Sequence, residues 1–109
     1  MKIIAVLLLV VSMAFAQTTH SVNLTWVDAN NPAGTTYSVY RATGLCSGTP
    51  TFSKLATAIA TKTYSDTTVT VGNYCYNVTA TFNSAEGPAS NLVNPLIAPF
   101  AVQLSVTVQ

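Results

Sequence analysis

Apolar and polar residues alternate in short runs along this chain, and the alternation is cleanest from Tyr74 to Phe82. Tyr74, Tyr76, Val78, Ala80 and Phe82 fall on one parity, and Cys75, Asn77, Thr79 and Thr81 on the other. Successive strand side chains point to opposite faces, so this stretch predicts a central strand with one face in a core and one polar face. Its aromatic and β-branched residues suit a pleated, half-buried surface.

The same period recurs on either side. From His20 to Val27, Val22, Leu24 and Trp26 share one face, which predicts a strand with a buried indole. A loop dense in turn-forming residues, Asp28 to Gly34, leads to a strand over Thr36 to Arg41 with Tyr37 and Val39 inward. A second Gly/Ser/Pro-rich loop spans Thr43 to Pro50. Thr51 to Ile59 has no clean period and is read as a short edge strand over Phe52 to Ala56, with a helical turn at Ala56 to Ala60 as the alternative. Thr61 to Thr68 is a strand with Tyr64 buried, and Gly72 supplies the special dihedral of the following turn. After Asn83 to Pro88, a last strand covers Ala89 to Ile97. Pro95 has no N–H to give a ladder and places that strand at an edge. Turn signals at intervals of about ten residues, without helical periodicity, predict an all-β sandwich.

The first sixteen residues stand apart. Lys2, the apolar run Ile3 to Val11 and the small-residue ending Ala14-Phe15-Ala16 have the layout of a secretory signal peptide (residues 1–16) cleaved before Gln17. A membrane anchor is the alternative, but the apolar run falls well short of the ~20 residues a spanning helix needs. The expected destination is therefore secreted, periplasmic or extracellular, with no membrane insertion after cleavage. Beyond residue 16 the charges are Arg41, Lys54 and Lys62 against Asp28, Asp66 and Glu86, a formal net of zero. No basic field is present to attract nucleic acid or anionic lipid. An uncharged surface also gives little protection against self-association. Cys46 and Cys75 are the two cysteines, so an exported chain has one intramolecular pairing open to it.

Five segments in this order resemble a fibronectin type III domain of the kind found in secreted bacterial proteins. They are Val22-Asn23-Leu24-Thr25-Trp26, Tyr37-Ser38-Val39-Tyr40-Arg41, Thr63-Tyr64-Ser65-Asp66-Thr67, Tyr74-Cys75-Tyr76-Asn77-Val78-Thr79-Ala80 and Gly87-Pro88-Ala89-Ser90-Asn91. The resemblance implies an immunoglobulin-like sandwich over residues 17–98, three strands against four. Trp26, Tyr37, Tyr64, Tyr74 and Tyr76 would be core aromatics, and Tyr74 would form the tyrosine corner that bonds back to nearby backbone. It also brings Cys46 and Cys75 to one pole, where a disulfide would stabilise the fold by about 3–4 kcal/mol. Two departures stand out. Gly72 lies one residue closer to Tyr74 than in the family pattern, which bears on the corner's hydrogen bond. Only Gln17 to Thr19 separate the expected cleavage point from the strand carrying Trp26, so the family's first strand is nearly missing.

Residues 99–109 lie beyond the resemblance. Val102, Leu104, Val106 and Val108 alternate with Gln103, Ser105, Thr107 and Gln109, and no charge interrupts them. This predicts an extra C-terminal strand, an aggregation-prone edge unless it is paired. The expected pairing is a hairpin onto Ala89 to Ile97 through Ala98-Pro99-Phe100. The alternative is self-association through residues 101–109, with one chain's tail filling the first-strand slot of another. In cis the tail would run the wrong way beside Val22 to Trp26.

Catalytic chemistry finds little support. His20 is the lone histidine, no second ligand completes a metal set, and the three acids are scattered. Neither an enzymatic activity nor a cofactor is expected. The resemblance instead directs attention to loops at the pole away from the cysteines, with Asp28, Asn30, Asn31, Asn83 and Glu86 as candidate contacts for a protein or glycan partner. Tyr40, outward on its strand, is a candidate platform for a sugar. The expected role is adhesion, display or partner binding.

Overall fold

The computed structural model describes residues 19–108; the expected signal peptide lies outside the described residues. Seven strands form: β1 (His20–Thr25), β2 (Thr36–Thr43), β3 (Ser53–Ile59), β4 (Thr63–Val69), β5 (Gly72–Phe82), β6 (Ala85–Glu86) and β7 (Leu96–Ile97). Among the described residues there is no helix, and the alternative turn of helix at Ala56 to Ala60 is absent. Ala56 to Ile59 instead extend β3, which bulges against β2, and Ala58 takes a left-handed φ of 57° at that irregularity.

All ladders are antiparallel. Among the described residues β1 pairs only with β4, and β3, β2, β5 and β6 lie side by side, with β7 joining β5 at its start. The result is a sandwich-like arrangement of two strands and five, in place of the three against four that the resemblance implied. The long β5 is central, as its alternation predicted, and its partner β2 is in register from Thr36↔Thr81 to Thr43↔Tyr74.

The core between the sheets is Val39, Val69, Tyr74, Tyr76 and Ile97, with Val22, Leu24, Trp26, Leu55, Ile59, Tyr64 and Val78 packed against it and partly buried. Tyr37, Tyr74 and Tyr76 are buried as expected. Trp26 and Tyr64 are not: each is only partly buried, because the thin β1–β4 sheet leaves flanks uncovered. The polar face expected for the central strand is also revised. Cys75, Asn77 and Thr79 are buried as well, since the loop after β2 is bonded over Cys75 and β6 folds beside Thr79.

The predicted disulfide between Cys46 and Cys75 is present, with Cα atoms 5.2 Å apart. Tyr74 makes the expected corner: its hydroxyl accepts from the Thr70 backbone N–H at 3.0 Å. Gly72 has a φ of 138°, open to glycine at little cost.

The C-terminal part departs most from expectation. Ala89 to Ile97 is no continuous strand; only Leu96–Ile97 and a bridge from Val93 to Tyr76 pair with β5. Pro95 lies on this outer segment and offers only its carbonyl, to Tyr74 N–H at 3.1 Å. The extra strand does not form either. Residues 98–108 carry no ladder and are exposed. A hairpin needs a template, and a segment broken by Pro88, Pro95 and Pro99 does not provide one.

Candidate binding groove

The loop candidates are occupied by local bonding. Asp28 accepts from Tyr37 Oη at 2.7 Å, Asn31 Nδ2 at 2.9 Å, Asn31 N at 3.1 Å and Asn30 N at 3.3 Å. The Tyr37 hydroxyl, then the Asn31 amide, hold its carboxyl down at about 2. Asp28 is thus the organiser of its own loop, and Lys62 Nζ ties that loop to the β3–β4 turn through the Asp28 carbonyl. Asn83 sits with Ser84 in the β5–β6 turn, where positive φ at both residues is the geometry a two-residue hairpin requires. Glu86 accepts from Thr79 Oγ1 and Tyr40 Oη, and these two donors lower its pKa. Tyr40, the sugar-platform candidate, also has Lys54 Nζ 5.6 Å from its ring centroid. Asn30 is exposed beside this network, and Asn31 lines shallow hollows at the same pole near Pro88. The five predicted residues therefore share one pole without converging on a common point. Among the described residues, no group of three potential metal ligands occurs.

A polar centre that the sequence reading missed lies inside the sandwich. Asp66 on β4 is 1% exposed and accepts from Tyr76 Oη at 2.6 Å, Thr68 Oγ1 at 2.7 Å, Arg41 Nη1 at 2.8 Å and Thr68 N at 3.0 Å. Burial pushes this carboxyl up, but donation from Tyr76, Thr68 and Arg41 outweighs it and holds the pKa at about 2. Burial, and then the neighbouring carboxylate, push the Tyr76 hydroxyl well up. Arg41 and Tyr76 belong to the larger sheet and Asp66 to the smaller, so the cluster cross-links the two layers. A signal was available: Asp66 shares the parity of Tyr64, the residue expected to point inward, and a buried acid calls for a cation such as Arg41.

A hollow larger than those near Pro88 lies elsewhere, along the flank of β1. A groove of about 850 Å³ runs between Val22, Leu24 and Trp26 on one side and Tyr76, Val78 and Val93 on the other. Its walls also include polar groups, among them Asn23, Thr25, Asn77, Ser90, Asn91 and Asn94, and no charged residue lines it. Its long side is the edge of β1 that β4 does not use, a row of backbone donors and acceptors without a ladder partner among the described residues. Trp26 Nε1 and Asn77 Oδ1 are buried there without a hydrogen-bond partner among the described residues. Val27, Leu92 and Val93 are exposed around it. Such a surface can take up an extended, uncharged segment by backbone pairing on one side and apolar packing on the other.

No protein-family model matches the chain, and no curated protein matches it.

Proposed function

We propose that the chain is an exported, non-catalytic fibronectin type III-like module that binds a protein partner through the groove beside β1. The observation that carries this reading is a largely apolar, charge-free groove bordered by a strand edge that has no ladder partner among the described residues, the combination that strand addition uses. The fibronectin-like assignment is supported by the pairing of β1 with β4 opposite the β3–β2–β5 set, and by the Tyr74 corner bond. That order fits such a sandwich with no first strand among the described residues and with its last strand reduced to β6 and β7. Export is supported by the disulfide, which belongs in an oxidising compartment, and by the layout of residues 1–16. No helix among the described residues is long and apolar enough to cross a membrane.

Site-specific photo-cross-linking in producing cells tests the groove. With p-benzoylphenylalanine at Asn91, on the groove wall, a protein adduct is expected. At Lys54, exposed on β3 outside the groove, the adduct is expected to be lost. Equal labelling from both positions, or none from Asn91, would overturn the reading.

A further inference from the structure

We propose that the partner taken up by the groove is the C-terminal tail of a second copy of this chain, laid antiparallel to β1. The inference rests on the groove reading above and names its occupant.

The tail and the groove fit each other in four respects. The first is chemistry. Val102, Leu104, Val106 and Val108 are each more than 80% exposed, a row of apolar side chains with nothing to cover them, while the groove lacks apolar cover on its own side. The second is parity. Val22 to Val27 all border the groove, and along β1 and just past its end Val22, Leu24 and Trp26 are the partly buried alternate positions, with Asn23, Thr25 and Val27 exposed between them. An added strand with Val102, Leu104 and Val106 inward continues that apolar face, and its Gln103, Ser105 and Thr107 continue the outward face of Asn23 and Thr25. The third is length, since residues 101–108 match the eight positions from His20 to Val27. The fourth is charge. Neither the tail nor the groove lining carries any, so burial of one in the other strands no ion. A strand bound there also brings a backbone donor and acceptor at each residue, which suits the unpartnered Trp26 Nε1 and Asn77 Oδ1.

Why the tail must come from another copy follows from direction. β7 pairs with the start of β5, and the tail leaves at the His20 end of β1, where the Phe100 ring stacks on His20 at 3.8 Å. A chain's own tail turned back along β1 would run parallel to it, whereas every ladder in the structure is antiparallel. In the structure it does not turn back: residues 101–108 are unpaired. A second copy can enter from the Trp26 end and run antiparallel. Because the donor's own groove stays open, the contact is heterologous and propagates head to tail unless two copies exchange tails reciprocally.

The test uses the full chain, exported and purified, beside the double variant Leu104→Asp/Val106→Asp, whose changed residues are solvent-exposed and cannot disturb the core. Light scattering across a range of concentrations is expected to show dimers and larger species for the natural chain and loss of all of them in the variant. A peptide of residues 101–109 added to the variant is expected to shift the emission of Trp26, the single tryptophan, to the blue; the same peptide with Asp at position 104 is expected to leave it unchanged. A natural chain that stays monomeric, with no response to the peptide, overturns the proposal. The Asn91 cross-link separates this failure from failure of the wider reading. A ladder of the chain with itself supports tail donation. An adduct to a different protein alone keeps the groove and removes the tail, and no adduct of any kind removes both.

Discussion

Asp66 and Val22 sit opposite one another across the β1–β4 ladder, yet the two sides of that ladder are finished to very different degrees. On the Asp66 side, one buried carboxylate collects four hydrogen bonds from three residues, two of them on the facing sheet. On the Val22 side, the edge of β1 has no strand partner among the described residues, and Trp26 and Asn77 each bury a polar atom without a bond. The disulfide braces the far wall of the groove, since Cys46 also donates its backbone N–H to Asn94 at 3.1 Å and so pins the loop after β2 to the outer segment. Buried polar groups stabilise a fold when each is satisfied, and an unsatisfied flank is where a further chain can gain the most. The same small sandwich thus holds itself together on one flank and is left to be completed on the other.

Breaking the cross-links that the fold already has carries the largest effects. Replacing both cysteines, Cys46→Ala with Cys75→Ala, is expected to lower unfolding stability by about 3–4 kcal/mol from lost loop constraint, read as a shift of the urea midpoint against the oxidised chain. An unchanged midpoint would mean that the loop is held by its other bonds alone.

Asp66→Asn comes next. Removing one member of a buried ion pair typically costs about 3–5 kcal/mol; here Arg41 is 26% exposed and partly rehydrates, so about 2–3 kcal/mol is expected. The same residue sets an acid limit. Its folded pKa of about 2 lies below the ordinary 3.8. Its contribution is therefore fully present above about pH 4 and is lost as pH falls through 2. Asp28, also held at about 2, acts in the same direction over the same window. Urea midpoints measured between pH 5 and pH 2 (~3 units) should fall steeply for the natural chain and less steeply for Asp66→Asn. Parallel slopes would show that Asp66 is not the group responsible.

The unfinished flank should show the smallest effect on folding. Leu104→Asp/Val106→Asp is expected to leave the unfolding midpoint of the dilute chain within about 0.5 kcal/mol of the natural value, because exposed residues outside the packed body contribute little. A marked loss in dilute solution would place the tail against its own domain and erase the contrast between the two flanks.

Much of this architecture was legible from period-two patterning. Along β1 and just past its end, the alternation of Val22, Leu24 and Trp26 matches the burial, whereas in β5 both parities are buried because other segments cover Cys75 and Thr79. The Cys46–Cys75 bridge was implied by the family resemblance, which brings the two thiols of a chain expected to be exported to one pole. Glu86 and Asp28 are candidate contacts by their loop positions, but their carboxylates bond Tyr40, Thr79 and Tyr37 on other strands, pairings that alternation within one strand does not show. Asp66 was overlooked for a similar reason. An acid in a Thr-rich strand looks like surface until Arg41 and Tyr76, each at least ten positions away, are seen to meet it.

The amino-acid order by itself located β1, β2, β4 and β5 and the turns between them, because those depend on alternation among neighbours one or two positions apart. The folded molecule alone decided that the segment after Asn83 breaks up, that β1 keeps an open edge, and that the alternating tail stays off its own domain. Those outcomes depend on which backbone groups remain unpaired once the sheets have assembled, and side-chain alternation carries no record of that.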